Sequence, residues 1–384
     1  MISIIKAPYT YQPSGNDSIF QIESDNPSIL SFNVKILEAS SGGVIFNGNY
    51  YVRPDHTTGV SFNLSSILSN LVQVKVTNLN TIAEAVSGAT LSYRLVITER
   101  IIVNGLTQDG ATYNNGNDRY TIWDAKIDRL LFKGFNQDDY VVTGNRLAKF
   151  LDIKPSISTQ SFTSNEQLYF INTSFIAKQV RIRLFNAVGN QINQVLSNIP
   201  DGLMIRLNVS PKAIGIDFNG VKEYRVDLIA GNGAAVTETK TYKLVNDSCH
   251  LQPVNILFTN SLGGVTTHVF YNPIESISTT KTTLKSNILQ LNSGVYSDSS
   301  NGILNPSERI INTTSTSSYT VFSNPLTDFE TQYLGELISS GNVYVESGST
   351  LIPITIKNSN YQVAIRKTNG GKINRLEIQY STNY

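Results

Sequence analysis

Residues 31–36, SFNVKI, place Phe32, Val34 and Ile36 on one face and polar residues on the other. Strict alternation of this kind is the mark of a half-buried β-strand. The same pattern continues on both sides. Val44-Ile45-Phe46 runs through Gly48 into Tyr50-Tyr51-Val52, and Val60-Ser61-Phe62-Asn63-Leu64 alternates again. Residues 91–103, LSYRLVITERIIV, form the longest strand candidate of the region and end on the turn pair Asn104-Gly105. One short helix interrupts the strands: apolar residues within 66–72 fall at helical spacing, with Asn63 or Ser65 as the expected cap. Residues 104–118 are polar and glycine-rich, and they predict a long exposed loop.

Further along, Pro155 forces extended geometry on Lys154 and marks a boundary near residue 150. Beyond it, apolar segments at 167–170, 178–185, 202–209, 223–230 and 236–245 alternate with turn signals at 186–190, 219–220 and 231–233. That spacing predicts a small sandwich of the immunoglobulin or fibronectin kind over 151–248. The last region, 249–384, opens with a hairpin around Asn260-Ser261-Leu262-Gly263-Gly264. Residues 272–324 are rich in Ser, Thr and Asn, with strands expected near 286–291, 309–314 and 319–322. Thr327 and Glu330 form a capping-box pattern at the start of the best helix, near 328–339, with Phe329, Tyr333, Leu334, Leu337 and Ile338 on its apolar face. Two hairpins are expected to close the chain, one pairing 343–346 with 351–356 and one pairing 361–367 with 372–380. The fold class that follows is mostly β: two to three β-sandwich-like domains in series (1–150, 151–248 and 249–384), with a few short helices.

Composition agrees. The 384 residues are 40% hydrophobic but only 15% charged, and Asn, Ser and Thr supply the remaining polarity. Asn and Ser suit turns, and Thr suits strands. The net charge is +1 and no basic stripe stands out, which argues against nucleic-acid binding. No apolar run reaches the length of a membrane helix, and the first residues do not read as a secretory signal. A single cysteine, Cys249, rules out an intramolecular disulfide and fits synthesis in a reducing cytoplasm.

Chemistry is sparse. His56, His250 and His268 show no metal-ligand spacing, and Cys249 beside His250 reads as a linker thiol rather than a nucleophile. The pairs Asp138-Asp139 and Asp124 with Asp128 read as capping or solvated carboxylates rather than a catalytic pair. The Asn/Asp-rich segment from Asp109 to Asp118 lacks the ordered spacing of a calcium loop. No catalytic, cofactor or metal site is therefore expected, and the chain reads as a non-enzyme. The 19 tyrosines offer apolar faces with polar tips, as subunit interfaces and sugar platforms do. Tyr9, Tyr11, Tyr113, Asn114, Asn115, Tyr120 and Trp123 are the candidate interface residues, with the extended segment 1–18 and the loop 104–118 as contact segments. For Trp123 a core position is the stronger expectation.

Four blocks in order resemble structural proteins of tailed phages and prophages, particularly those infecting Bacteroidota. They are 51–71 (YVRPDHTTGVSFNLSSILSNL), 150–170 (FLDIKPSISTQSFTSNEQLYF), 253–270 (PVNILFTNSLGGVTTHVF) and the tail stretch 326–380. The resemblance implies a virion protein of the tail region. It would be a homo-oligomer assembled with other tail proteins as a ring or collar, with no catalytic residues to carry over. A carbohydrate- or receptor-binding module that meets a host glycan or receptor is the alternative.

Overall fold

Strand Ile29–Glu38 lies between two antiparallel neighbours, Thr90–Val103 and Val44–Tyr51. The register sets Val34 opposite Ile97 and Ile36 opposite Leu95, and all four are buried with Phe32. In this computed structural model, which describes the chain except residues 57, 77–80, 115, 117, 145, 216, 246–251, 293, 301–302, 305, 349, 358–374 and 383–384, the buried face packs against a second sheet. That sheet consists of Ile2–Lys6, Ile19–Ser24 and Gly59–Asn63. Phe20 and Phe62 stack at 5.8 Å between ring centroids, and the first lobe is a β-sandwich around them.

Most of the expected loop 104–118 is a hairpin strand. Asn104 and Gly105 take φ of +52° and +79°, the left-handed pair that a two-residue hairpin turn demands. Leu106–Tyr113 then folds back along Thr90–Val103 as a strand. The sequence hides it because most of its residues face solvent, so polar TQDG carries no buried alternation. Its inner contact is polar: buried Glu99 accepts from the N–H of Ala111 (3.1 Å) and the hydroxyl of Ser24 (2.6 Å). The short helix Ser65–Leu68 begins one residue away from either expected cap, at Leu64, while Asn63 Oδ1 accepts from the Ser65 N–H at 3.0 Å.

The second lobe is also a sandwich. Five strands run in the order Ile157–Ser161, Lys240–Val245, Glu223–Ala230, Ala177–Phe185, Gln191–Asn198. They cover a four-stranded sheet of Val141–Val142, Gln167–Asn172, Met204–Asn208 and Ala83–Ala85. Two of those strands come from before Pro155: Ala83–Ala85 pairs with Met204–Asn208, and Val141–Val142 with Gln167–Asn172.

The third lobe closes on itself. Pro253–Thr259, Val265–Lys285, Glu308–Phe322, Glu377–Thr382, Thr350–Ile356 and Val343–Ser347 form a six-stranded barrel. Helix Asp328–Ser339 buries Tyr333, Leu334 and Leu337 in the same core, and Thr327 and Glu330 form the expected capping box. Phe329, assigned to that apolar face from sequence, is instead 49% exposed. The hairpin Val343–Ser347 with Thr350–Ile356 is present, whereas the one expected over 361–380 falls largely outside the described residues.

A fourth core joins the lobes. Trp123 and Ala125 from the first, Tyr169 and Met204 from the second, and Leu257 and Val265 from the third pack together. The turn at Asn260–Gly264 is wedged into this junction. Gly263, at φ +90°, has no room for a Cβ, which would collide with the Asp124 carbonyl; one on Gly264 would strike the Leu151 carbonyl. These glycines do more than turn the chain: they let two lobes approach backbone to backbone.

Candidate interaction surface: a projecting hairpin arm

Two barrel strands leave the barrel together. Val265–Lys285 pairs with Pro253–Thr259 only as far as Tyr271, where Pro253 is the last partner. Asn272, at φ +55°, and Pro273 then form a bulge, and the ladder resumes at Ile274 opposite Thr320. On the other side, Glu308–Phe322 loses its neighbour Glu377–Thr382 below Tyr319. From Ser276 and Ser318 outward the ribbon has two strands only among the described residues. It continues to Lys285 opposite Glu308, a reach of roughly 30–34 Å at ~3.4 Å per residue.

Sequence reasoning divided this region into separate short strands and missed the arm. The reason is physical: neither face of the ribbon is buried against the body, so neither carries an apolar stripe. One face sets Ser276 opposite Ser318, Ser278 opposite Thr316, Thr280 opposite Thr314 and Thr282 opposite Asn312. The other face includes Glu275, Ile277, Thr279 and Lys281, with the Tyr319 hydroxyl donating to Glu275 at 3.1 Å. The available signal was the long run of Thr and Ser, residues that tolerate strands without needing a core.

The distal end differs from the stem. Leu284, Ile288, Leu289, Leu291, Val295 and Tyr296 are 50–70% exposed, and Ile303, Leu304, Ile310 and Ile311 are equally bare. A concentration of exposed apolar side chains at one end of a ribbon marks a contact surface. Among the described residues neither ribbon edge has a further strand on it, and between Ser276 and Thr283 the only charge is Lys281. Edge strands normally carry charges or proline against pairing with other chains.

The candidate interface residues fall elsewhere and do not converge. Trp123 is fully buried, with its indole N–H donating to the Leu262 carbonyl at 2.9 Å; it is an internal junction residue and offers nothing to a partner. Tyr120 is half-buried against Phe20, edge to face at 5.2 Å. The Tyr11 N–H donates to Gln137 Oε1 at 3.1 Å, and burial raises its phenol pKa. Tyr9 is 43% exposed and packs on Phe135. Tyr113 bonds through its hydroxyl to Asp118, Asn114 accepts from Arg94 at 3.5 Å, and Asn115 lies outside the described residues. The segment 1–18 is not a free arm either, because Ile2 sits in the first core and Tyr11–Pro13 pairs with Tyr120–Trp123.

The titratable groups hold structure together. Asp128 caps a short helix, Asp124 accepts from the Val74 N–H at 2.7 Å, and Asp139 pairs with Arg146 at 2.7 Å. His56 pairs with Glu23 at 3.3 Å. His268 is half-buried, its Nδ1 is 2.8 Å from the Tyr333 hydroxyl, and desolvation together with the Lys154 charge pushes its pKa down to about 3. Cys249 and His250 lie outside the described residues. Among the described residues no group of three or more His, Cys, Asp or Glu could hold a metal, and no helix is long and apolar enough to cross a membrane.

Comparison with known proteins adds little. No family model matches the chain, and no curated protein matches it. Among solved structures, Dpr2 Ig1-Ig2 in complex with DIP-Theta Ig1-Ig3 is similar at 10% identity and a TM-score of 0.17, over 64% of this chain and 99% of that one. CBD12 from CALX1.2 is similar at 9% identity and a TM-score of 0.19, over 63% and 98%. A structure from a bacterial ice-binding adhesin retained at the host cell surface is similar at 10% identity and a TM-score of 0.19, over 84% and 92%. Scores this low carry no argument about fold or function.

Proposed function

We propose that the chain is a non-catalytic structural subunit of the tail region of a bacteriophage virion, built into a homo-oligomeric ring or collar. The single observation that supports this reading is the arm. An isolated two-stranded ribbon is marginal in water, and this one adds bare edges and an apolar end. Its stability must come from what it touches, so it reads as an assembly element. A copy that reaches into the next copy makes a head-to-tail contact, and repeated head-to-tail contacts form a ring when the rotation between copies closes. The stem has no apolar face, so its chemistry favours a protein neighbour over the interior of a bilayer. The blocks that resemble tail proteins of Bacteroidota phages supply the choice of particle.

The test is cross-linking of a mixture of 14N- and 15N-labelled full chains. Mixed-isotope cross-links from Lys281 and Lys285 to body lysines are the expected result. Cross-links confined to single isotopes would refute assembly through the arm.

A further inference from the structure

Strand Ile157–Ser161 is the outermost strand of its sheet, paired in parallel with Lys240–Val245 on one side only. Its other side borders a cleft of about 360 Å³. Every residue of the strand lines that cleft, odd and even alike, so it is the strand's edge that faces it. The opposite wall is the barrel segment around Thr267–Tyr271 and the start of the helix at Thr327. In a parallel ladder, alternate residues turn both peptide groups to the same neighbour. The Ser156 carbonyl accepts from Thr241 at 2.7 Å, so Ser156, Ser158 and Gln160 face the sheet. Ile157 and Thr159 therefore turn their N–H and C=O toward the cleft, where they have no hydrogen bond among the described residues.

Two side chains add chemistry to this edge. Gln160 is 4% exposed and lines the cleft, yet its Nε2 has no hydrogen-bond partner among the described residues. A buried amide donor left unmade is costly, and a ligand acceptor would satisfy it. The charges around the cleft are unequal. Lys154 is taken by Glu166 at 2.6 Å, and Glu330 accepts from the Thr327 N–H and hydroxyl at 2.8 and 2.9 Å. His268 is neutral and bonded to Tyr333. Lys243 is exposed and has no ion pair among the described residues. One cation is left over.

We infer that this cleft accepts an extended peptide strand from another protein, added to the Ile157–Ser161 edge, with an acidic side chain directed at Lys243 on one face of the sheet and a separate acceptor meeting Gln160 on the other. Main-chain pairing gives the affinity in such sites, and pockets for side chains give the choice of sequence. The inference is independent of the arm and of the proposed assembly.

The test is fluorescence anisotropy of the full chain with labelled, end-blocked peptides TVEVTV and TVKVTV. The glutamate peptide is expected to bind about tenfold more tightly than the lysine peptide, the size of one charge-assisted bond. Lys243→Glu should reverse that order, and Thr159→Pro, which removes a cleft-facing donor, should abolish binding of both. Because proline could disturb the sheet, Thr159→Pro is checked by its melting curve, while Lys243→Glu on an exposed position carries the test alone if needed. Equal affinity for the two peptides, no binding of either, or an order unchanged by Lys243→Glu would overturn the assignment. Binding that emerges only after the arm is trimmed would overturn it too, in favour of a second copy's arm as the occupant.

Discussion

The indole nitrogen of Trp123 donates to the carbonyl of Leu262, 2.9 Å away and 139 residues further along the chain. The contact ties the end of a first-lobe strand to the Asn260–Gly264 turn of the barrel. Around it the three lobes share one core, and strands from before Pro155 complete the second lobe, so the lobes are locked in space. A rigid body of this kind is what a projecting arm requires if it is to reach a fixed point on a neighbour.

Trp123→Ala should therefore destabilise the whole chain rather than one lobe. Deleting a buried indole costs about 3–5 kcal/mol. Trp123→Phe keeps most of the volume but leaves the Leu262 carbonyl unmatched, at about 1–3 kcal/mol. Urea unfolding followed by circular dichroism checks both, and a single cooperative transition is expected in the wild type. Loss of one lobe's signal well before the others would contradict a shared junction.

Acid should loosen the protein through His268. Its folded pKa of about 3 lies below the ordinary 6.5 because burial and the Lys154 charge oppose protonation. Between those values the unfolded chain takes up a proton that the folded chain refuses. The contribution is fully present above pH 6.5 and declines as pH falls toward 3, by about 1.4 kcal/mol for each pH unit. His268→Gln should flatten that slope in a series of melting curves from pH 7 to pH 4. An unchanged slope would mean that His268 is not the group responsible.

The buried pairs should tolerate joint replacement better than single replacement. Lys154 bonds Glu166 at 2.6 Å, Lys240 lies 3.1 Å from Asp152, and the Lys240 ammonium also donates to the Lys154 carbonyl at 2.8 Å. Burial raises the Glu166 carboxyl, and the Lys154 charge beside it pulls the other way. Lys154→Met alone strands Glu166 and should cost about 3–5 kcal/mol, while Lys154→Met with Glu166→Leu should recover most of the loss. A double-mutant cycle by chemical denaturation measures it, and additive losses would argue against coupling.

Much of the fold was legible because burial writes itself into alternation. Phe32, Val34 and Ile36 announced their strand, and Thr327 with Glu330 announced the helix start. What stayed hidden were elements that bury little. Leu106–Tyr113 lies on the outside of its sheet, and the arm has no buried face, so neither alternates. Phe329 sits at helical spacing with Leu334 and Leu337 yet stays half exposed, because periodicity gives a face but not how far along the helix the packing reaches. The candidate interface was the weakest part. Trp123 and Tyr120 were chosen for residue type, and large aromatic rings are more often spent inside a protein than on its surface. Gln160 could not be singled out at all, because an unpaired amide is a property of its surroundings.

The most direct test of assembly through the arm is sedimentation velocity of the full chain beside one in which residues 276–318 are replaced by a two-glycine turn, which leaves Tyr319 stacked on Tyr380 in the barrel. The account predicts a concentration-dependent oligomer for the full chain, and a folded monomer with an unchanged melting temperature for the trimmed one. A full chain that stays monomeric at every concentration, or a trimmed chain that still assembles, would contradict it.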